Sequence, residues 1–267
     1  MSDPTVQLTI AEDQVRGPIA TITIDNPAKL NSLSSALIIA LTKNFEKVSS
    51  QLDVRAVILT GAGDRAFVGG ADLNELSGLC ADSARIFITN LHRACHAIRA
   101  CPVPVIARIK GYCLGAGLEV AASCDMRAAA STATFAMPEV HLGLPSVIEA
   151  ALLPGQIGWG RTREMLLTGQ SYDARTAFQF GLIQKVAQPE TLDAEIDRWI
   201  DGICRAAPTA IKAQKALMNK WQEVSVQEGI WAGIDALSTA YATGEPQQNI
   251  RAFLAGRAIQ KTRPTDT

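Results

Sequence analysis

Two stretches of this chain, Val54 to Thr60 and Val105 to Ile109, are short and nearly continuously apolar, and each runs into glycines. Runs this brief and this apolar read as strands covered on both faces. Gly61-Ala62-Gly63 and the Gly69-Gly70 loop follow the first, and Gly111-Tyr112-Cys113-Leu114-Gly115-Ala116-Gly117 follows the second. Helical patterns come after each glycine loop. Short strand, glycine turn and helix, repeated, predict an α/β layer fold with ligands at the strand ends.

The remaining segments fit that frame. Val6 to Ile10 and Ile19 to Ile24 read as strands joined by a charged Gly-Pro turn, and Asn31 or Ser32 is placed to cap a helix through Leu37, Leu41 and Phe45. Ile86 to Ile98 carries Phe87, Ile88, Leu91, Cys95 and Ile98 on one helical side. A helix is expected over Ala116 to Ala122, strands over Met126 to Ala130 and Thr134 to Ala136, and helical material over Ala150 to Leu153 and Thr162 to Leu167. Beyond Pro189 the patterns are helical only: 192 to 221, broken at Ala207-Pro208, then 223 to 240, then Pro246 to Ile259. The division expected is a core of residues 1–200 and a helical region of residues 201–267. Trp199, Trp221, Trp231 and Phe253 in or beside that region need an apolar partner, which favours self-association.

Composition excludes several classes. With 48% hydrophobic and 19% charged residues among 267, the chain has enough apolar surface to offset ordering entropy. A net charge of -1 supplies no overall field towards nucleic acid or an anionic membrane. The start, Met1 to Gln7, lacks the basic flank and apolar run of a secretion signal, and no stretch approaches a spanning helix, so a cytoplasmic location is expected. The six cysteines form no C-x-x-C pair and are expected as free thiols packed among apolar residues.

The chemistry concentrates at the two glycine loops, Ala66 to Leu73 and Gly111 to Glu119. Neither matches a dinucleotide or triphosphate fingerprint. Both can present an unpaired backbone N–H at a helix start, and two such donors converging on one oxygen make an oxyanion hole. Two structural turns would look the same at this point. Three acids sit in apolar surroundings: Glu119 beside Leu118 and Val120, Glu139 between Pro138 and Val140, and Glu149 beside Ile148 and Ala150. Carboxylates so placed tend to raised pKa values suited to proton transfer near neutrality. His92 and His96, four apart, could share a metal, but no recognised zinc spacing results, so no metal is expected. Ser146 and His141 form no triad, and Cys113 reads as a packed thiol.

Taken in order, Asn26-Pro27-Ala28-Lys29-Leu30-Asn31-Ser32-Leu33, the two glycine loops, Pro138-Glu139-Val140-His141-Leu142-Gly143, Phe180-Gly181-Leu182-Ile183 and Arg251-Ala252-Phe253-Leu254 resemble the crotonase, or enoyl-CoA hydratase/isomerase, superfamily. The resemblance implies a crotonase-like spiral of ββα units with a helical C-terminal trimerisation region, assembled as trimers or hexamers. It implies an acyl-CoA substrate, with coenzyme A entering as the thioester and no tightly bound cofactor. It puts the oxyanion donors at the amides of Ala71 and Ala116, the latter usually glycine in the family, and two water-handling glutamates at Glu119 and Glu139. Both acids favour hydration of a short or compact 2-enoyl-CoA; isomerisation, decarboxylation, thioester hydrolysis and a non-catalytic scaffold are the alternatives. CoA contacts are expected from Ala28, Lys29, Ala71, Asp72, Leu73, Gly115, Phe253 and Arg257, because Asn74 and Gly256 stand where relatives often have basic residues. An acyl pocket is expected from Leu114, Pro138, Gly143, Ile148 and Glu149. Ile148 and Glu149 replace two family glycines and either narrow that pocket or add a third carboxylate, unless Glu149 pairs with an arginine such as Arg161 or Arg163.

Overall fold

The computed structural model describes residues 3–262, with side chains as far as residue 255. The chain divides into two compact units, Met1–Pro208 and Thr209–Thr267.

The first unit opens with an antiparallel pair, β1 (Thr5–Ala11) and β2 (Ile19–Asp25), and then α1 (Ser35–Ser49). The Ser34 side chain accepts the Leu37 N–H and caps α1, which places the cap later than Asn31 or Ser32. Asn31 is engaged elsewhere. Buried, with φ at +56°, it donates to the Ala62 and Ala66 carbonyls and accepts the Asn26 N–H. Asparagine tolerates this left-handed geometry better than most residues, so the Asn-Pro-Ala-Lys-Leu-Asn segment is a clasp across the turn that follows the next strand.

Three strand pairs follow, each ending at a helix start. They are β3 (Ala56–Gly61) with β4 (Ala66–Val68) before α2 (Leu73–Leu76) and α3 (Ala81–Ala100); β5 (Val105–Ile109) with β6 (Tyr112–Leu114) before α4 (Ala116–Ala122); and β7 (Met126–Ala130) with β8 (Thr134–Ala136) before a 3₁₀ turn, Glu139–Leu142. A second 3₁₀ turn, Ile148–Leu152, leads into α5 (Leu153–Thr168), β9 (Tyr172–Asp173), α6 (Ala174–Phe180), β10 (Lys185–Ala187) and α7 (Leu192–Arg205).

The first member of each pair joins one sheet, ordered β1-β2-β3-β5-β7-β10, and the second member joins another, ordered β4-β6-β8-β9. That is a spiral of strand-strand-helix units. Residues alternate between the faces of the larger sheet: Val57 and Leu59 join the core that includes α1 and α3 side chains, while Ala56, Ile106 and Ala128 pack on Leu192, Ile196 and Ile200 of α7. In the smaller sheet β4, β6 and β8 run parallel, so the segments after all three strands emerge at the same edge, side by side.

The second unit holds most of α8 (Pro208–Trp221), with α9 (Val226–Ala242) and α10 (Glu245–Thr262). Ser225 and Glu228 close a capping box at the start of α9, and the Trp221 indole donates to the Gly229 carbonyl at 3.0 Å. Among the described residues no helix is long and apolar enough to cross a membrane.

Candidate active site

The three segments that leave β4, β6 and β8 are Gly69–Ala71, Gly115–Ala116 and Pro138–Glu139, and all of them line one cavity of about 660 Å³. The first two are in close contact, since a Cβ added to Gly70 would lie 3.6 Å from the Leu114 carbonyl oxygen. Gly70 at φ +114° and Gly115 at φ +51° both need glycine's conformational range.

Ala71 sits in a short parallel bridge with Leu33: the Leu33 N–H donates to Gly70 O at 2.8 Å, and the Asp72 N–H donates to Leu33 O at 2.9 Å. Successive amides of an extended chain alternate in direction, so the Ala71 N–H points away from Leu33. Ala116 is the first residue of α4, where no intrahelical acceptor exists. Neither amide has an acceptor among the described residues. The site therefore has two unused donors on adjoining loops that line one cavity.

Glu119 lies one helical turn after Ala116, is 5% exposed, and accepts the Ala150 N–H at 3.2 Å through Oε1. Burial pushes its carboxyl up to about 8; the Ala150 N–H acts the other way, and the charges of Glu139 and Glu149 add to the rise. Glu139 accepts the Ser146 hydroxyl at 2.8 Å. A Cβ on Gly115 would collide with the Glu139 carboxylate, so the second glycine loop and the second acid share one small space.

A group whose folded pKa lies above its unfolded one binds more protons when folded, so it costs stability as pH rises from the ordinary carboxylate value towards 8. Glu119→Gln removes that cost. We predict that the variant is more stable than the wild type above about pH 8, by several kcal/mol, and that the difference shrinks towards pH 5. Thermal melts across that range check it; equal melts at alkaline pH would contradict it.

Much of the remaining lining comes from α2, the link after it, α3 and the segment after Glu139: Leu76, Leu79, Ala84, Phe87, Ile88, Leu91, Leu142, Leu144 and Val147, with Arg85 among them. Of the residues expected at the site, Ala71, Leu73, Leu114, Gly115, Ala116, Glu119, Pro138 and Glu139 line the cavity, and Gly143, Ile148 and Glu149 do not. Asp72 caps α2 and holds Lys29 Nζ at 2.8 Å, and Ala28 is exposed on the adjoining 3₁₀ turn. Phe253 lies in the helical unit with 61% of its surface exposed, and the Arg257 side chain lies outside the described residues.

Some pairings correct the sequence reading. Glu149 pairs with His92, whose Nδ1 lies 2.8 Å from Oε1, and with neither arginine; Arg161 stacks over Phe180 and Arg163 over Trp159. Ser146, which belongs to no triad, is the donor that holds Glu139. All six cysteines are free; Cys95, Cys101, Cys113 and Cys124 are buried, whereas Cys80 is exposed rather than packed, and the Ser83 hydroxyl brings its thiol down to about 7. No cluster of potential metal ligands exists among the described residues.

The enoyl-CoA hydratase/isomerase family model matches residues 14–261. The chain belongs to that family. It is 33% identical over 240 residues to crotonyl-CoA hydratase of Syntrophomonas wolfei, covering 90% of this chain and 92% of the relative. It is 31% identical over 245 residues to short-chain-enoyl-CoA hydratase of Clostridium acetobutylicum, covering 91% and 94%. The crystal structure of enoyl-CoA hydratase from Mycobacterium smegmatis superposes with a TM-score of 0.88 at 28% identity, over 96% of this chain and 97% of that one. The expected fold, a spiral of ββα units with a helical C-terminal region, is the observed one, and the chemistry of this enoyl-CoA hydratase/isomerase family member acts on acyl-CoA.

Proposed function

We propose that the protein is an enoyl-CoA hydratase that adds water across the C2=C3 bond of a short or compact 2-enoyl-CoA. The observation that carries this is the meeting of two carboxylates, Glu119 and Glu139, with the unused amides of Ala71 and Ala116 in one apolar cavity. The thioester oxygen accepts hydrogen bonds from both amides. As the water oxygen bonds to C3, the C2=C3 electron pair moves through the carbonyl to that oxygen, and the charge develops where the donors and the start of α4 already point. Glu139 takes a proton from the water and returns it to C2, which restores the carbonyl. Glu119 accepts a hydrogen bond from the water's second hydrogen, which stays on the new C3 hydroxyl, and so orients the attacking lone pair, a role that strengthens as it ionises near its raised pKa. Holding water and alkene together avoids a bimolecular encounter.

The apolar lining of Leu76, Phe87 and Leu91 suits a hydrocarbon acyl group, and its short length is supported by the two relatives, which carry the names crotonyl-CoA hydratase and short-chain-enoyl-CoA hydratase. Lys29, half-exposed beside the first loop, is the cation assigned to the CoA phosphates. Turnover of crotonyl-CoA against a series of longer 2-enoyl-CoAs tests the assignment. The highest kcat/KM should fall at the short end, and a monotonic rise with chain length would refute it.

The helical unit supports self-association as a trimer or a dimer of trimers. Considered alone, it exposes Ile230, Trp231, Ile234, Leu237, Phe253 and Leu254, all more than half solvent-accessible. Apolar side chains in that number call for a covering partner. Sedimentation velocity should give three or six copies; a monomer at micromolar concentration would count against it.

A further inference from the structure

Glu149 sits next to the site without entering it. It is 4% exposed, its Oε2 has no hydrogen-bond partner among the described residues, and its Oε1 lies 2.8 Å from Nδ1 of His92. A half-satisfied buried carboxylate is costly. The preceding residue is also costly: Ile148 stands at φ +37°, in the left-handed region that a β-branched side chain strongly disfavours. The next residue is Ala150, whose N–H holds Glu119. Two consecutive departures from local preference thus lead directly to the hydrogen bond that orients a candidate catalytic acid. Strain and unmet polarity persist where the surroundings over-determine them, and they cluster at functional sites.

The contact with His92 is what ties this turn down. His92 lies on α3 directly after Leu91, which lines the cavity, and its side chain is 49% exposed. With the hydrogen on Nδ1, His92 donates to Glu149 Oε1. The turn Ile148–Leu152 is thereby fastened to α3 at Glu149 and to α4 at Ala150.

We propose that His92 and Glu149 form a positioning dyad: their hydrogen bond fixes the Ile148–Leu152 turn so that the Ala150 N–H holds the Glu119 carboxylate in its working orientation. Neither residue touches substrate. The dyad rests on the hydratase reading of Glu119, and it acts on the chemical step more than on binding.

The test is steady-state hydration kinetics of wild type, His92→Phe, His92→Asn and Glu149→Gln with crotonyl-CoA. His92→Phe removes the donor, and a thermal melt verifies that the fold is retained. Its kcat should fall about 10- to 100-fold with KM within about twofold, as expected when a reacting group is misplaced but the thioester still binds. The Asn amide can donate from the place of Nδ1, so His92→Asn should recover kcat to within about threefold of wild type. Glu149→Gln keeps an acceptor for His92 and should behave like His92→Asn. The dyad is refuted if His92→Phe keeps wild-type kcat, or if His92→Asn is as impaired as His92→Phe. A wild type that hydrates no 2-enoyl-CoA would instead overturn the reading of the site and the dyad with it, so the two failures are distinguishable.

Discussion

Glu139→Gln is expected to lower kcat for hydration by about 10²- to 10⁴-fold, the range set by losing a positioned acid-base group. KM should stay within about threefold, because the thioester oxygen is held by backbone amides that the substitution leaves alone. The fold should survive as well. Glu139 starts a 3₁₀ turn at the cavity edge, and a Gln amide or carbonyl still fits beside Ser146 and Gly115. The split between kcat and KM is the informative part. Equal losses of kcat and affinity would mean that Glu139 shapes the cavity and does not move a proton.

The second large effect is on the fold. Gly117→Ala puts a methyl into the helix α4, where alanine ordinarily gains about 1 kcal/mol over glycine. Here the added Cβ would collide with the Val68 carbonyl oxygen and come within 2.8 Å of the Val68 Cβ. Backbone cannot swing aside as a side chain tip can, so overpacking wins and the net loss should be about 2 to 3 kcal/mol. That corresponds to a fall in Tm of roughly 5 to 10 °C. Activity should fall too, because the collision pushes α4 away from β4; α4 starts with the Ala116 amide, and β4 leads into the loop that holds the Ala71 amide. Gly160→Ala is the control: its added Cβ meets nothing within 4 Å, so Tm should hold or rise. An unchanged Tm for Gly117→Ala would show that the two elements pack less tightly than this geometry requires.

Local pattern makes part of this architecture legible and hides the rest. Val105–Ile109, Ala116–Ala122, Met126–Ala130 and Thr134–Ala136 form where the sequence predicts them, because each is an apolar run bounded by turn residues. The strands β4 and β6 fall inside segments that read as loops. Three residues between glycines carry no period-two signal, and their partners lie in sequence-distant strands. The cap of α1 sits at Ser34 because Asn31 is drawn into the clasp over Ala62 and Ala66, a tertiary demand that no capping rule contains.

The site divides in the same way. Two glycine loops and three acids in apolar surroundings are visible as residues out of place, and the fold brings Glu119, Glu139, Gly70 and Gly115 to one cavity. Ser146 beside Glu139 and His92 beside Glu149 are not visible. A hydroxyl and an imidazole are ordinary surface residues, and the second pair spans 57 positions. Sequence proximity favours an arginine for Glu149 because Arg161 and Arg163 follow it closely; the turn at Ile148 instead sends it to α3. The apolar wall from α2 and α3 escapes a sequence reading because the same spacing that marks a core face also marks a substrate wall.

In the proposed hydration the two acids place water on C3 while two amides hold the thioester oxygen. Incubating the enzyme with crotonyl-CoA in heavy-oxygen water and analysing the product by mass spectrometry tests this most directly. The expected product is a 3-hydroxyacyl-CoA carrying the heavy oxygen at C3, with the thioester intact. An unlabelled double-bond isomer, or heavy oxygen appearing in a released carboxylate, would contradict it.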